Sequence, residues 1–292
     1  MLASRVMVLA AIALISGSIQ HPPLRVARRA LPRTLSSVAA CAGASSTHPR
    51  LLLVSSGLTT PTLKESFHRM LSQSSPGNSP KVAMLVTASM CGSGEQSTGK
   101  RSPGQLRQRR WADARKKGKE LEQVLGVEVE CCDCAREDRP ELAEPLRSAD
   151  CIWVAGGNTF YLWHWMKRSG VDKLIQRRVR EDGVVYVGQS AGAIVAGESI
   201  ETAFWKGWDD PGAAPDEDWS DEHNLKGMGL ARQTVLFPHY SDEWQTLVEE
   251  KQQRAGLVSA TGTASDGSHQ SRLVCLTDDG VESLVVGDDL VA

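Results

Sequence analysis

The chain has 292 residues, enough for one large domain or two small ones, and its ordinary apolar content can fill a core without disulfide or metal staples. Its 33 basic and 35 acidic residues leave a formal charge of −2, which argues against nucleic acid as the main partner. No apolar run approaches the ~18 residues that span a bilayer, so no membrane is expected for the mature form.

The N-terminal stretch differs from the rest. No Asp or Glu precedes Glu65. Arg5 is followed by the apolar Val6 to Ile15 and then by Ser16-Gly17-Ser18, the order of a signal peptide. A basic, Ser/Ala-rich stretch with Arg25, Arg28, Arg29 and Arg33 follows, which has transit-peptide composition. The expectation is a disordered targeting leader over residues 1–48 and a single α/β domain over 49–292. The tandem reads as an organellar address, plastid first. A mitochondrial leader, secretion, or a cytoplasmic protein with a plain tail are the other readings.

Seven cysteines give an odd count and no regular disulfide framework. Cys131-x-x-Cys134 has redox or half-zinc spacing, but no second pair or close His pair completes a metal site. Structural thiols in a reducing compartment are the expectation.

From Leu51 onward, strand-like and helix-like segments alternate. Strands are predicted at Leu51–Ser55, Val82–Thr87, Val127–Cys132, Cys151–Ala155 and Val184–Val187. Helices are predicted at Pro61–Leu71, Gln105–Leu125, Glu141–Arg147, Asn158–Arg168 and Val171–Glu181. This alternation implies a parallel sheet with helices on both sides. Beyond it lie an acidic loop at Asp209–Glu222, a short strand at Val235–Phe237, a helix at Asp242–Ala255 and a polar loop at Ser259–Ser271. Leu273–Leu276 and Val281–Val286 read as a closing hairpin around Asp278-Asp279-Gly280.

The most informative segment is Gly188-Gln189-Ser190-Ala191-Gly192, placed between a β-branched run and a small-residue helix start. A G-x-S-x-G in that strand–turn–helix context is a nucleophile elbow, whose glycines permit the tight turn and leave the Ser190 hydroxyl bare. A serine nucleophile needs a base. His239 follows a short apolar strand, at the kind of strand end where α/β sites assemble. His223 and His269 sit in polar loops, whereas His68 and His164 sit on predicted helices and read as structural. An oxyanion also needs amide donors. The Ala191 N–H is one. Gly156-Gly157-Asn158, after another strand, reads either as the second donor site or as a plain glycine turn before an Asn helix cap.

Three motifs together, Ala155-Gly156-Gly157-Asn158-Thr159-Phe160-Tyr161-Leu162, Tyr186-Val187-Gly188-Gln189-Ser190-Ala191-Gly192-Ala193 and Phe237-Pro238-His239-Tyr240-Ser241-Asp242, resemble the peptidase E family. These are serine peptidases related to cyanophycinase and, in fold, to class I glutamine amidotransferases. The resemblance runs from about Leu51 to about Ala255. It implies a three-layer α/β/α sandwich with a mostly parallel central sheet. It further implies a small peptide substrate with N-terminal Asp, Ser190 as nucleophile, His239 as base, and Gly157 and Ala191 as oxyanion donors. No cofactor and no metal are implied, and a homodimer is compatible. Glutaminase chemistry is disfavoured, because those enzymes have Cys where Ser190 stands.

The chain departs from the family at the third triad member. The family pattern places an Asp after the nucleophile where this chain has Trp205. Asp209 and Asp210 are the candidates if the loop is longer, with Glu201 a third. Lys206 in this loop is a candidate cation for a substrate aspartate, Asn158 a candidate substrate contact, and Trp205 and Trp208 candidate pocket walls. Two other functions fit less well. An α/β-hydrolase esterase shares the elbow but needs a histidine-led glycine motif that is missing, and a non-catalytic binding or regulatory descendant would follow if no acid reached His239.

Overall fold

Four short strands carry side chains that are buried on both faces or nearly so, β1 (Leu51–Val54), β2 (Lys81–Leu85), β4 (Cys151–Val154) and β5 (Val185–Gln189), and a fifth, β3 (Glu128–Cys132), buries Val129 and Cys132 but leaves Glu128 and Glu130 exposed. They belong to a computed structural model that describes residues 49–74, 79–92, 102–137, 140–259, 270–280 and 283–286. The leader reading over residues 1–48 lies outside the described residues. The strands form a sheet in the order β3-β2-β4-β5-β1, closed at the β1 edge by β9 (Leu284–Val286). All pairings are parallel except β1 with β9.

The period-two alternation of strand side chains separates two cores. Leu51, Leu53, Leu85, Ile152, Val154 and Tyr186 face one side, where they meet α3 (Thr159–Ser169), α4 (Val171–Arg180) and α5 (Ala191–Ala196). Leu52, Val54, Met84, Trp153, Val185 and Val187 face the other, against α1 (Pro61–Ser74) and α2 (Pro103–Leu125). Each buried aliphatic contributes about 1.5–3 kcal/mol. The sheet therefore needs cover on both faces, and the expected three-layer α/β/α sandwich is the result. Helix ends follow local chemistry. Ser102 and Gln105 form a capping box before α2, and Gly126 ends that helix in the left-handed region.

A second parallel sheet, β6 (Thr234–Tyr240), β8 (Arg272–Thr277) and β7 (Val258–Ser259), has its own small core of Val235, Phe237, Leu273 and Val248, the last from α6 (Gln245–Ala255). This corrects the expected C-terminal hairpin. The turn at Asp278-Asp279-Gly280 exists, but its two strands enter different sheets, β8 the second and β9 the first. Thr59, just beyond β1, holds the turn through a hydrogen bond to the Asp279 carbonyl at 2.9 Å.

The elbow between β5 and α5 is the tightest packing in the central layer. A Cβ on Gly192 would overlap the Val154 carbonyl of β4, and one on Gly188 would lie 2.6 Å from the Gly192 oxygen. Tyr186, fully buried, donates its hydroxyl to the Gly192 carbonyl at 2.7 Å. Gly192→Ala is therefore expected to destabilise the fold by about 1–3 kcal/mol or more through overpacking, read as a lowered urea midpoint with an unchanged slope.

Candidate active site

Five loops converge at the carboxyl ends of β1, β4, β5, β6 and β8, the usual site position in an open α/β sheet. The β5 loop presents Ser190 with φ 52° and ψ −111°, a conformation disfavoured for any L residue and held here by the elbow. The Ser190 N–H bonds to the Val54 carbonyl at 3.0 Å, which fixes the residue against the end of β1. In the first turn of α5 the Ala193 and Ile194 N–H groups bond to the Ser190 carbonyl at 2.9 and 3.0 Å, whereas the Ala191 N–H, at the first helical position, has no acceptor within its own helix. Gly157, at the end of β4, has φ 142° and packs so closely on the Ala88 backbone that no Cβ fits. Gly157 and Ser190 line the same two hollows.

β6 delivers the imidazole. Its register with β8 shifts between Phe237 and Tyr240, so Pro238 and His239 form a bulge, a device that re-aims a side chain. His239 has φ 58°. Its N–H is released from the ladder and bonds to Ser55 Oγ at 2.8 Å, at the end of β1. Its Nε2 lies 2.9 Å from Ser190 Oγ. Its Nδ1 lies 2.6 Å from Asp278 Oδ1. Ser55 donates its hydroxyl to the same carboxylate oxygen at 2.6 Å, and Ser56 does so at 2.5 Å. With both serine protons committed to Asp278, the Nδ1–H of His239 donates to it as well, which leaves the Nε2 lone pair as the acceptor of the Ser190 hydroxyl hydrogen bond. Partial burial alone would raise the Asp278 carboxyl, but the bonds from Ser55, Ser56 and His239 outweigh it and hold the carboxyl at about 2.

Two hollows flank Ser190. One, about 600 Å³, runs beside Trp153 and Gln189 towards Arg110 and Lys117 on α2. The other, about 180 Å³, lies between α5 and β6 and is walled by Ile194, Ala203, Phe237 and Trp208. Among the described residues, no group of three His, Cys, Asp or Glu is arranged to hold a metal ion, and no helix is long and apolar enough to cross a membrane.

Comparison with known proteins gives this geometry a family. The model of "Peptidase family S51" matches residues 51–267. The chain belongs to peptidase family S51. It is 43% identical over 83 residues to an uncharacterized peptidase of Listeria monocytogenes, and 36% identical over 125 residues to one of Listeria innocua. These segments cover 28% and 43% of this chain, and 40% and 56% of the two relatives. A protein named peptidase E from a Shewanella strain is 44% identical over 63 residues, covering 22% of this chain and 26% of that protein. A Listeria monocytogenes structure solved under a peptidase E designation superposes with a TM-score of 0.52 and 23% identity, covering 82% of this chain and 98% of that one. The peptidase E resemblance and the α/β fold expected from the sequence are thus borne out.

In this S51 chain, the carboxylate against His239 is on none of the three residues expected to supply it. Asp210 is exposed and caps the short turn Pro211–Ala213 by accepting the Gly212 N–H at 2.8 Å. Asp209 shares the smaller hollow with Ser190 and His239, but its Oδ2 accepts the Thr159 N–H at 3.1 Å, and burial raises its carboxyl. Glu201 is also raised by burial, and the charges acting on it are Glu222 and Lys251. Asn158 is likewise committed to structure, not to a ligand. Its Oδ1 accepts the Tyr161 N–H at 2.8 Å and its Nδ2 donates to the Asp210 carbonyl at 3.0 Å. Lys206 reaches the smaller hollow with its ammonium bonded to the carbonyls of Pro238 and His239. Trp205 packs against the core of the second sheet, while Trp208 stays exposed with its ring 5.8 Å from that of His239. The other described histidines are placed away from Ser190, His164 bonded to Glu217 and His223 to Asp221, and His269 lies outside the described residues.

Sequence reasoning passed over Asp278 and Ser55. The available signal was an Asp directly after a predicted strand. By sequence it reads as a hairpin turn, because nothing local shows that β6 and β8 run parallel with Tyr240 beside Thr277.

The Cys131-x-x-Cys134 pair forms no disulfide, and all described cysteines are free thiols. Burial pushes Cys134 up to about 12 and raises Cys132 and Cys151 further. Iodoacetamide at pH 8 is therefore expected to spare Cys132, Cys134 and Cys151 in the native protein and to label them in denaturant, as peptide mass spectrometry will show.

Proposed function

We propose that this protein is a serine peptidase acting on short peptides, with Ser190 as nucleophile, His239 as general base and Asp278 as its orienting acid. The observation that carries the reading is the continuous chain Ser190 Oγ to His239 Nε2 at 2.9 Å and His239 Nδ1 to Asp278 at 2.6 Å. His239 Nε2 takes the hydroxyl proton as Ser190 Oγ bonds to the peptide carbonyl carbon. The oxyanion rests on the amides of Gly157 and Ala191. Collapse breaks the C–N bond, and His239 returns the proton to the leaving amine. Water then attacks the acyl-enzyme with His239 again as base, releasing the acid and restoring Ser190.

The two hollows on either side of Ser190 suit a chain with a residue bound on each side of the cleaved bond. Dipeptides with N-terminal Asp are the substrates the peptidase E resemblance proposes.

Hydrolysis of a dipeptide panel that includes Asp-Xaa members tests this. Ser190→Ala is expected to lower kcat by about 10⁶-fold, the loss typical of a removed nucleophile. Asp278→Asn is expected to lower it by about 10⁴-fold by favouring the wrong imidazole tautomer. Asp210→Asn should leave turnover unchanged. Because the Asp278 carboxyl sits at about 2, it stays ionised down to about pH 3. The acid limb of kcat/KM should therefore follow a single proton down to about pH 3. Wild-type protein that is folded yet inactive on every dipeptide, or Asp278→Asn as active as wild type, would overturn the assignment.

A further inference from the structure

The bulge that aims His239 leaves backbone groups without ladder partners. β6 pairs with β8 from Thr234 to Phe237 and again at Tyr240, so Pro238 and His239 stand outside the regular pairing. Pro238 has no N–H, and the N–H of His239 is taken by Ser55. The two carbonyls converge on one group. Lys206 Nζ donates to Pro238 O at 3.2 Å and to His239 O by a still shorter bond. The ammonium also faces the rings of Trp208 at 4.3 Å, Trp244 at 4.6 Å and Phe237 at 4.7 Å. A compact cation with three donors suits two carbonyls inside an aromatic cage.

We propose that Lys206 is a positioning residue for His239, clamping the carbonyl side of its left-handed backbone as Ser55 clamps the N–H side, and so fixing the direction of the imidazole. The proposal rests on the serine-peptidase reading, and it removes Lys206 from the role of substrate cation, because its donors are already directed at the backbone. His239 at φ 58° is not a conformation that the residue keeps unaided. A clamp on each side of its Cα is what the geometry supplies.

The clamp needs the charged amine. Burial lowers Lys206 from the ordinary lysine range to about 8, against the opposing pull of Asp278, Glu243 and Cys275. Asp278 lies on the turn after β8, Glu243 on the short turn after β6, and Cys275 within β8. Asp209 lines the same hollow, and His239 itself completes the ionisable groups around it. The neutral amine gains population as pH rises through about 8, so the clamp is present below that pH and lost above it.

The test uses the full chain with Lys206→Met and Lys206→Arg, read by dipeptide kinetics across pH and by the NMR signals of the His239 imidazole. Lys206→Met is expected to lower kcat about ten- to a hundredfold below about pH 8, with the gap to wild type closing above it and little change in KM, the scale of a small misplacement of a reacting group. Wild type is expected to lose kcat through an alkaline limb near pH 8 that Lys206→Arg abolishes, since guanidinium stays charged. The His239 Nδ1–H resonance should shift or broaden in Lys206→Met. A rise in KM for Asp-Xaa peptides with kcat unchanged would overturn the proposal in favour of substrate binding, as would an alkaline limb that survives in Lys206→Arg. If wild type turns over no peptide, the serine-peptidase reading fails by itself. The NMR readout then still decides the clamp, and unchanged His239 signals in Lys206→Met would overturn it.

Discussion

Ser190 is held at φ 52° and ψ −111° by neighbours that leave its backbone no other course. A strained backbone of this kind costs about 1–3 kcal/mol and persists where the surrounding structure over-determines it. Here the constraint is close approach. Gly188 and Gly192 have no room for side chains, the Tyr186 hydroxyl holds the Gly192 carbonyl, and the Ser190 N–H is bonded to β1. The central sheet is thereby both the core and the mould of the elbow. Its register places Val54 beside Gln189 and Val154 beside Gly188, so the loops that leave β1, β4 and β5 begin at one level.

The second sheet completes the site by running parallel to itself. Parallel pairing brings the carboxyl ends of β6 and β8 together, with Tyr240 opposite Thr277. His239 and Asp278 are the neighbours of those two residues, and they meet for that reason. The Asp278 turn also spans the two sheets, since the strand after it returns to the edge of β1. Ser55 ties the junction from the other side by bonding to both His239 and Asp278. A single side chain at the end of β1 thus helps to set the imidazole and its acid together, at 1% exposure, where solvent cannot compete for its hydrogen bonds.

The site's electrostatics follow from this hydrogen bonding more than from net charge. Asp278 is exposed, yet three donors keep it ionised. Asp209 and Lys206 are shifted the other way, each by burial against its charged form. The cleft therefore carries groups with quite different proton affinities within one small volume, a pattern that accompanies functional sites.

The layers, and the two side chains Ser190 and His239 that meet in the cleft, were legible in the sequence. Period-two burial, helix caps and turn glycines are local properties, and they placed β1 to β5 and their helices within a few residues. The G-x-S-x-G segment identified Ser190 because the strand, the turn and the helix lie within one short window. His239 was legible for a similar reason, as a histidine at the end of an apolar strand. The orienting carboxylate was not. Asp209 and Asp210 lay nearer Ser190 in the chain, and Asp278 looked like a residue in a hairpin turn. Which carboxylate reaches an imidazole depends on which strands pair and in which direction, and that is a long-range property. That β8 and β9 part into two sheets, that β6 bulges at Pro238, and that Lys206 turns to backbone carbonyls emerges in three dimensions alone, because each depends on pairings between segments far apart in the chain.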